Sequence, residues 1–85
     1  MKIAYTAYFL KLLSRLESNL QNEVIEKTEL FKNRNNHKSL NLHKLHSKFA
    51  GSYSFYVNYK IRIVFDYVNK EEVVFLLVGD HDIYK

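Results

Sequence analysis

Apolar residues in the first third of the chain recur at helical spacing. The 3.6-residue period predicts an amphipathic helix that begins after Thr6, whose hydroxyl can cap the first turn. The apolar stripe consists of Phe9, Leu12, Leu13, Leu16 and Leu20. Ser18 and Gln21 have the spacing of a capping box, so we expect a break there and a second, antiparallel helix. The second helix is expected to turn Val24, Ile25, Thr28 and Phe31 inward. Residues Lys2–Tyr5 are predicted to form a short strand before both helices.

The second half of the chain changes to a period of two. Residues 33–41 are rich in asparagine and charge and are predicted to form a loop. Two segments alternate between one set of residues that is expected to face the core and a second set between them. The first set is Tyr53, Phe55, Val57, Ile61, Ile63, Phe65 and Tyr67, and the second is Ser54, Tyr56, Arg62, Val64 and Asp66. Turns are predicted at residues 58–60 and 69–70. Residues 73–78 are continuously apolar, as in a strand near the centre of a sheet that is buried on both faces.

Helices followed by a strand meander predict an α+β fold. We expect one domain over residues 1–85, in which an N-terminal strand and a helical hairpin pack on one face of an antiparallel β-sheet. The predicted core consists of Phe9, Leu12, Leu16, Phe55, Ile63, Phe65, Phe75 and Leu77.

Charge is distributed unevenly along the chain, whose formal net charge is +4. Residues 1–31 carry four basic and four acidic side chains, and residues 63–85 carry two basic and five acidic ones. Residues 32–62 carry no acidic side chain and seven basic ones: Lys32, Arg34, Lys38, Lys44, Lys48, Lys60 and Arg62. Clustered cations favour a polyanion such as nucleic acid, because bound phosphates release their counterions. The alternative is a solvated basic face without a partner.

The composition excludes several kinds of site. The chain has no cysteine, which rules out disulfides and thiolate chemistry. The four histidines are His37, His43, His46 and His81, and none has the spacing of a helical HExxH zinc site. We therefore expect neither a metal nor another cofactor. No stretch has the length of a transmembrane helix or the form of a signal peptide, so we expect a cytoplasmic protein.

Three segments of the second half resemble those of a known family. They are residues 42–45 leading to Gly51, residues 53–65, and residues 78–84. In this order and spacing they resemble the RelE/ParE toxin superfamily, especially its RelE and YafQ-like branch. The resemblance covers residues 37–85, and over the first 36 residues it rests only on the order of strand, helix and helix. Ser47 departs from the family pattern, which usually has Gly there, and we expect no additional C-terminal helix of the kind that some relatives carry.

The resemblance implies a RelE-like fold and the toxin of a type II toxin–antitoxin system. Such a toxin is a metal-independent endoribonuclease that cleaves mRNA on the ribosome and is inhibited by a cognate antitoxin. Cleavage of RNA without a metal requires a base for the ribose 2′-hydroxyl, a cation for the phosphate and an acid for the leaving oxygen.

The catalytic residues that the resemblance implies are His81, Arg62 and His43. His81 lies where relatives carry a catalytic His or Arg, and we assign it as the general acid. Arg62 matches a phosphate-binding Arg, and the strand alternation places it on the open face of the predicted sheet. His43 is the candidate general base by comparison with YafQ-like toxins. His46 is the alternative base, because the odd separation of the two histidines puts them on opposite faces of a strand.

Four residues are expected to bind RNA: Lys44, Lys48, His46 and Tyr84. The two lysines are expected to contact backbone phosphates, and the same charges would hold an acidic segment of an antitoxin. Tyr84 offers a ring on which a base can stack, although a tyrosine that fixes the end of the chain to the core is an equal alternative.

His81 and Arg62 also have explanations that involve no function. His81 can be a surface histidine next to Asp80 and Asp82, and Arg62 can pair with Asp66. Other functions of a basic chain with this fold also stay open. A ParE-like toxin would inhibit DNA gyrase without cleaving RNA, and a non-catalytic module would only bind nucleic acid. A small antitoxin or structural protein fits the resemblance least.

Overall fold

The computed structural model of the protein describes residues 1–46 and 49–80. The helices are α1 (Ala7–Ser14) and α2 (Ser18–Phe31), followed by a 3₁₀ turn at Arg34–Asn36. The strands are β1 (Lys2–Tyr5), β2 (His43–Lys44), β3 (Tyr53–Tyr56), β4 (Arg62–Asn69) and β5 (Glu72–Gly79). The two helices pack on a five-stranded sheet, which confirms the predicted α+β fold.

The sheet has the strand order β1-β5-β4-β3-β2. Strands β2 to β5 pair antiparallel, as the alternation predicts, whereas β1 pairs in parallel with β5. The prediction of a wholly antiparallel sheet is therefore wrong for β1, and the sheet is mixed. Parallel neighbours require a long crossover connection. Here the helical hairpin and the other three strands form that connection.

The first helix begins as predicted. Thr6 caps it, because its hydroxyl accepts a hydrogen bond from the amide of Phe9 at 2.9 Å. The same hydroxyl donates to the carbonyl of Leu76 at 3.2 Å, which ties the start of α1 to β5.

The break between the helices lies where it was predicted, but for another reason. Residue Glu17 is the N-cap of α2, and Ser18 is already inside the helix, so no capping box forms. Instead, the side-chain amide of Gln21 donates to the carbonyls of Leu13 and Leu16, at 3.0 Å each. Gln21 thereby ties the first turn of α2 to the end of α1, where the Leu13 carbonyl also accepts a hydrogen bond from the amide of Leu16 at 3.1 Å.

The core lies between the helices and one face of the sheet, hereafter the helix-covered face. Of the eight predicted core residues, five are buried: Phe9, Phe55, Ile63, Phe65 and Phe75. Leu12 and Leu16 are partly buried and pack against this cluster. The ring of Phe31 stacks on Phe55 with ring centroids 4.7 Å apart, and it also meets Phe65 and Phe75 edge-on.

Two expected core positions are wrong. Leu77 pairs with Val64, whereas Phe75 pairs with Phe65, so β5 contains one extra residue between these pairs. This bulge turns Leu77 to the face opposite the helices. Ile25 is 58% exposed, because the buried side of α2 runs through Val24, Thr28 and Phe31 instead.

The loop after α2 is fixed to the core through His37. Its ring stacks on Phe31 at a centroid distance of 4.7 Å, and its Nε2 lies 2.8 Å from the Phe31 carbonyl. Leu40 is buried three residues later. This loop leads directly into β2, so its attachment sets the position of His43.

None of the helices in the described parts of the chain combines the length and apolarity needed to cross a membrane.

Candidate active site

The face of the sheet opposite the helices, hereafter the polar face, carries two of the three predicted catalytic residues. His43 in β2 pairs with Ser54 in β3, and Arg62 in β4 pairs with Tyr56 in β3. Directly paired residues share a face, and so do residues two apart along a strand. The register therefore places His43, Tyr56 and Arg62 on one face across three neighbouring strands.

Tyr56 lies between the other two residues. Its ring centroid is 6.0 Å from that of His43, and the guanidinium carbon of Arg62 lies 4.8 Å from the same ring. A guanidinium at this distance from an aromatic ring has a cation–π attraction of about 0.5–2 kcal/mol. No function was predicted for Tyr56 from the sequence. The signal that identifies it is the alternation of β3, which separates Tyr56 from its core-facing neighbour Phe55.

His43 is held in one orientation by the backbone before it. Its Nδ1 lies 2.8 Å from the carbonyl oxygen of Asn41, which can only accept a hydrogen bond. In the neutral ring Nδ1 therefore carries the proton and Nε2 keeps a lone pair. Asn41 has a φ of 56°, in the left-handed region that asparagine tolerates better than most residues. This backbone turn aims the carbonyl at the ring of His43.

Arg62 is half-buried rather than fully exposed. Two other residues on this face, Ser54 and Val64, are fully buried, so the polar face is exposed to solvent only in part. The structural alternative for Arg62 was a pair with Asp66. Four residues of extended strand separate these side chains by roughly 13 Å. The carboxylate of Asp66 instead accepts a hydrogen bond from the hydroxyl of Ser52 at 2.5 Å.

The remaining predicted residues do not join this group. Lys44 pairs with Tyr53, so it points to the side opposite His43 at the edge of the sheet, where it is exposed. His46 lies two residues beyond the end of β2 and is exposed. The predicted general acid and two of the predicted RNA-binding residues lie outside the described residues: His81, Lys48 and Tyr84.

A cleft of about 660 Å³ opens at the end of the sheet, on the side of the helices. It lies between the end of α1, the β3–β4 turn and the end of β5. Gly79, which pairs with Arg62, lines it together with Arg15 and Lys60. The β3–β4 turn presents Tyr59 with 92% of its surface exposed.

The basic middle of the chain is partly neutralised in space. Lys32 donates to Glu29 across 2.6 Å, and this hydrogen bond raises the pKa of Lys32. Arg34 contacts the carboxylate of Glu71 at 3.4 Å and the carbonyl of Lys70.

Among residues 1–46 and 49–80, no three histidine or carboxylate side chains form a group that could hold a metal ion.

Solved structures share this fold along almost the whole chain. YafQ from E. coli superimposes with a TM-score of 0.75 at 17% identity, covering 96% of this chain and 94% of YafQ. The RelBE2 toxin–antitoxin complex from Mycobacterium tuberculosis gives 0.72 at 18% identity, with 94% and 96% covered. The conserved hypothetical protein HP0894 from Helicobacter pylori gives 0.71 at 23% identity, with 96% of both chains covered.

No protein-family model and no curated protein sequence matches the chain. The likeness is therefore carried by the arrangement of helices and strands rather than by sequence identity. The chain has the fold of the RelE/YafQ-like toxins.

Proposed function

We propose that this protein is the toxin of a type II toxin–antitoxin system and that it cleaves mRNA as an endoribonuclease. The observation that carries the proposal is the placement of His43 and Arg62 on one face of a toxin-like fold, on either side of Tyr56. A histidine with an unprotonated ring nitrogen and an arginine on the same face would provide two of the three groups that RNA cleavage requires.

In the proposed reaction, Nε2 of His43 takes the proton from a ribose 2′-hydroxyl. The 2′-oxygen then attacks the adjacent phosphorus, and Arg62 stabilises the negative charge on the non-bridging oxygens. The bond from phosphorus to the 5′-oxygen breaks, and His81 gives that oxygen a proton. The products are a 2′,3′-cyclic phosphate and a 5′-hydroxyl. No metal or other cofactor takes part in these steps.

The strand register supports His43 rather than His46 as the base. His43 shares the polar face with Arg62, whereas His46 lies beyond β2. We assign His46, Lys44, Lys48 and Tyr84 to RNA binding around this centre. Lys44 would contact a phosphate at the edge of the sheet, because its side chain points away from His43.

The proposed partners are mRNA, the ribosome and an antitoxin. Toxin structures with this fold include the RelBE2 toxin–antitoxin complex, which supports a cognate antitoxin for this chain. The substrate is translated mRNA, so the site of action is the cytoplasm and the ribosome is the expected place of cleavage. The cations of residues 32–62 would serve either polyanionic RNA or an acidic antitoxin segment.

The proposal is tested by inducing the protein alone in growing bacteria. We expect arrest of growth and translation, relieved by co-expression of the antitoxin encoded beside it. Primer extension on translated mRNA should show new ends, and end analysis should show 5′-hydroxyl groups. Normal growth with soluble, folded protein present would contradict the toxin function.

The variants Arg62→Ala and His81→Ala test the chemistry. Each should lower the cleavage rate by about 10²–10⁴, the usual contribution of a positioned catalytic group. Circular dichroism should show both variants folded. Binding of RNA should barely change in His81→Ala and should weaken in Arg62→Ala, because Arg62 touches the phosphate before and during the reaction. Arrest with intact mRNA and inhibited DNA gyrase would assign the chain to the ParE-like function instead.

A further inference from the structure

Tyr56 contacts both described residues of the proposed catalytic group. Its ring lies 4.8 Å from the guanidinium carbon of Arg62 and 6.0 Å from the ring centroid of His43. The planes of the tyrosine and histidine rings differ by 35°. One aromatic side chain thus borders both groups.

Tyr56 is itself held firmly in place. Its amide donates a hydrogen bond to the carbonyl of Leu40 at 2.9 Å, in addition to its place in β3. Leu40 is buried, and the loop that carries it is attached to the core through His37. The ring of Tyr56 is half-buried beside the fully buried Ser54 and Val57. The backbone position of Tyr56 is therefore fixed by the core and not only by the edge of the sheet.

Arg62 needs such support more than a short side chain would. A free arginine side chain carries about 2 kcal/mol of rotamer entropy, which is lost when the guanidinium is fixed on a phosphate. A ring that already restricts the guanidinium lowers the rotamer entropy that Arg62 loses when RNA binds. The negative face of the ring attracts the cation without using the N–H groups that would bind phosphate.

We propose that Tyr56 is a positioning residue that orders Arg62 and His43 for the reaction, through its ring and without its hydroxyl. This inference rests on the proposed RNA cleavage, in which Arg62 and His43 act on the substrate. Tyr56 acts through these two residues. The hydroxyl takes no proton, so phenylalanine can replace tyrosine here.

The test compares Tyr56→Phe and Tyr56→Leu with a matched Tyr8→Leu control. Tyr8 is an exposed tyrosine on α1, outside the proposed catalytic group. Cleavage of a single-site RNA is measured at several substrate concentrations. We expect Tyr56→Leu to lower kcat by about 10–100-fold, because a misplaced catalytic group can cost up to about 10²-fold, and to raise KM less, because Arg62 also holds the phosphate before the reaction. Tyr56→Phe should retain kcat within about threefold, and Tyr8→Leu should match the wild type.

A second readout does not depend on activity. In NMR spectra, a ring over the guanidinium shifts the side-chain signals of Arg62, and the shift should persist in Tyr56→Phe and disappear in Tyr56→Leu. The ring signals of His43 should change in the leucine variant as well. If leucine unfolds the protein, Tyr56→Thr serves the same comparison, because a β-branched residue favours a strand.

The outcomes separate the inference from the function. A wild-type protein that cleaves no RNA would defeat the proposed function, whereas the NMR comparison would still show whether Tyr56 orders Arg62. A wild type that cleaves RNA together with a folded Tyr56→Leu variant of equal kcat would overturn the inference alone. A Tyr56→Phe variant as slow as Tyr56→Leu would also overturn it, since the hydroxyl would then take part in the chemistry.

Discussion

The two faces of the sheet use aromatic rings in different ways. On the helix-covered face, Phe31 meets phenylalanine rings of the sheet: it stacks on Phe55 at 4.7 Å and meets Phe65 and Phe75 edge-on. On the polar face, Tyr56 lies beside Arg62 and His43. Rings that contact rings stabilise the fold, whereas a ring that contacts a cation fixes the direction of a charged group. Substitutions on the two faces should therefore affect different measurements.

The largest expected effect is on the polar face. His43→Gln should lower the cleavage rate by about 10²–10⁴, because the amide side chain cannot act as a base. The free energy of unfolding should change little, since His43 is exposed. His46→Gln is the matched comparison: its rate at saturating RNA should stay near that of the wild type, and only its affinity for RNA should fall, because His46 is assigned to RNA binding. If His46→Gln is the slower variant, the base lies outside the polar face and the comparison of the two faces breaks down.

On the helix-covered face the effect should be on stability. Phe31→Ala removes a fully buried ring and should lower the free energy of unfolding by about 3–5 kcal/mol. This is a large part of the roughly 5–15 kcal/mol that stabilises a small domain. Urea unfolding followed by circular dichroism measures it. At temperatures where the variant is folded, the cleavage rate should stay close to that of the wild type.

A smaller effect is expected at the helix break. Gln21→Ala removes the hydrogen bonds to the carbonyls of Leu13 and Leu16 and should cost about 1 kcal/mol of unfolding free energy. If Gln21 instead formed a capping box with Ser18, Ser18→Ala would cost as much. Equal losses in the two variants would contradict the arrangement described above.

The smallest effect should be at Ile25. Its side chain is 58% exposed, so Ile25→Gln should change the free energy of unfolding by no more than about 0.5 kcal/mol. Val24→Gln, one position earlier, places a polar group in the core and should cost several times as much. A loss above 2 kcal/mol for Ile25→Gln would mean that α2 turns a different side toward the sheet.

The sequence predicted the elements better than their mutual arrangement. Alternation within β3 and β4 depends only on neighbouring residues, so the inward side of Phe55, Ile63 and Phe65 could be predicted. The bulge that turns Leu77 outward depends on the pairing of two strands, which a local pattern does not contain. The parallel pairing of β1 depends on contacts between distant parts of the chain. The rotation of α2 that exposes Ile25 depends on packing against the sheet.

For the candidate site, as for the fold, the sequence predicted single residues better than their arrangement in space. Strand alternation placed Arg62 on the face away from the core, and the register brings His43 to the same face. The roles of His43 and Arg62 came from the resemblance and stay predictions. Tyr56 was missed because its residue type suits a core as well as a site. Only the strand pairing shows that Arg62 lies against its ring.

The pairing of β1 with β5 also determines when the protein can become fully folded during its synthesis. β1 is synthesised before the other described strands, yet its partner is synthesised after them, with Lys2 paired to Glu72. Contacts this distant in sequence form late and slow the folding of a chain. Until β5 emerges, Phe9 also lacks the ring of Phe75, 5.4 Å away in the finished protein. A nascent chain interrupted before this point keeps an open strand edge and an uncovered apolar cluster, which favour aggregation or degradation.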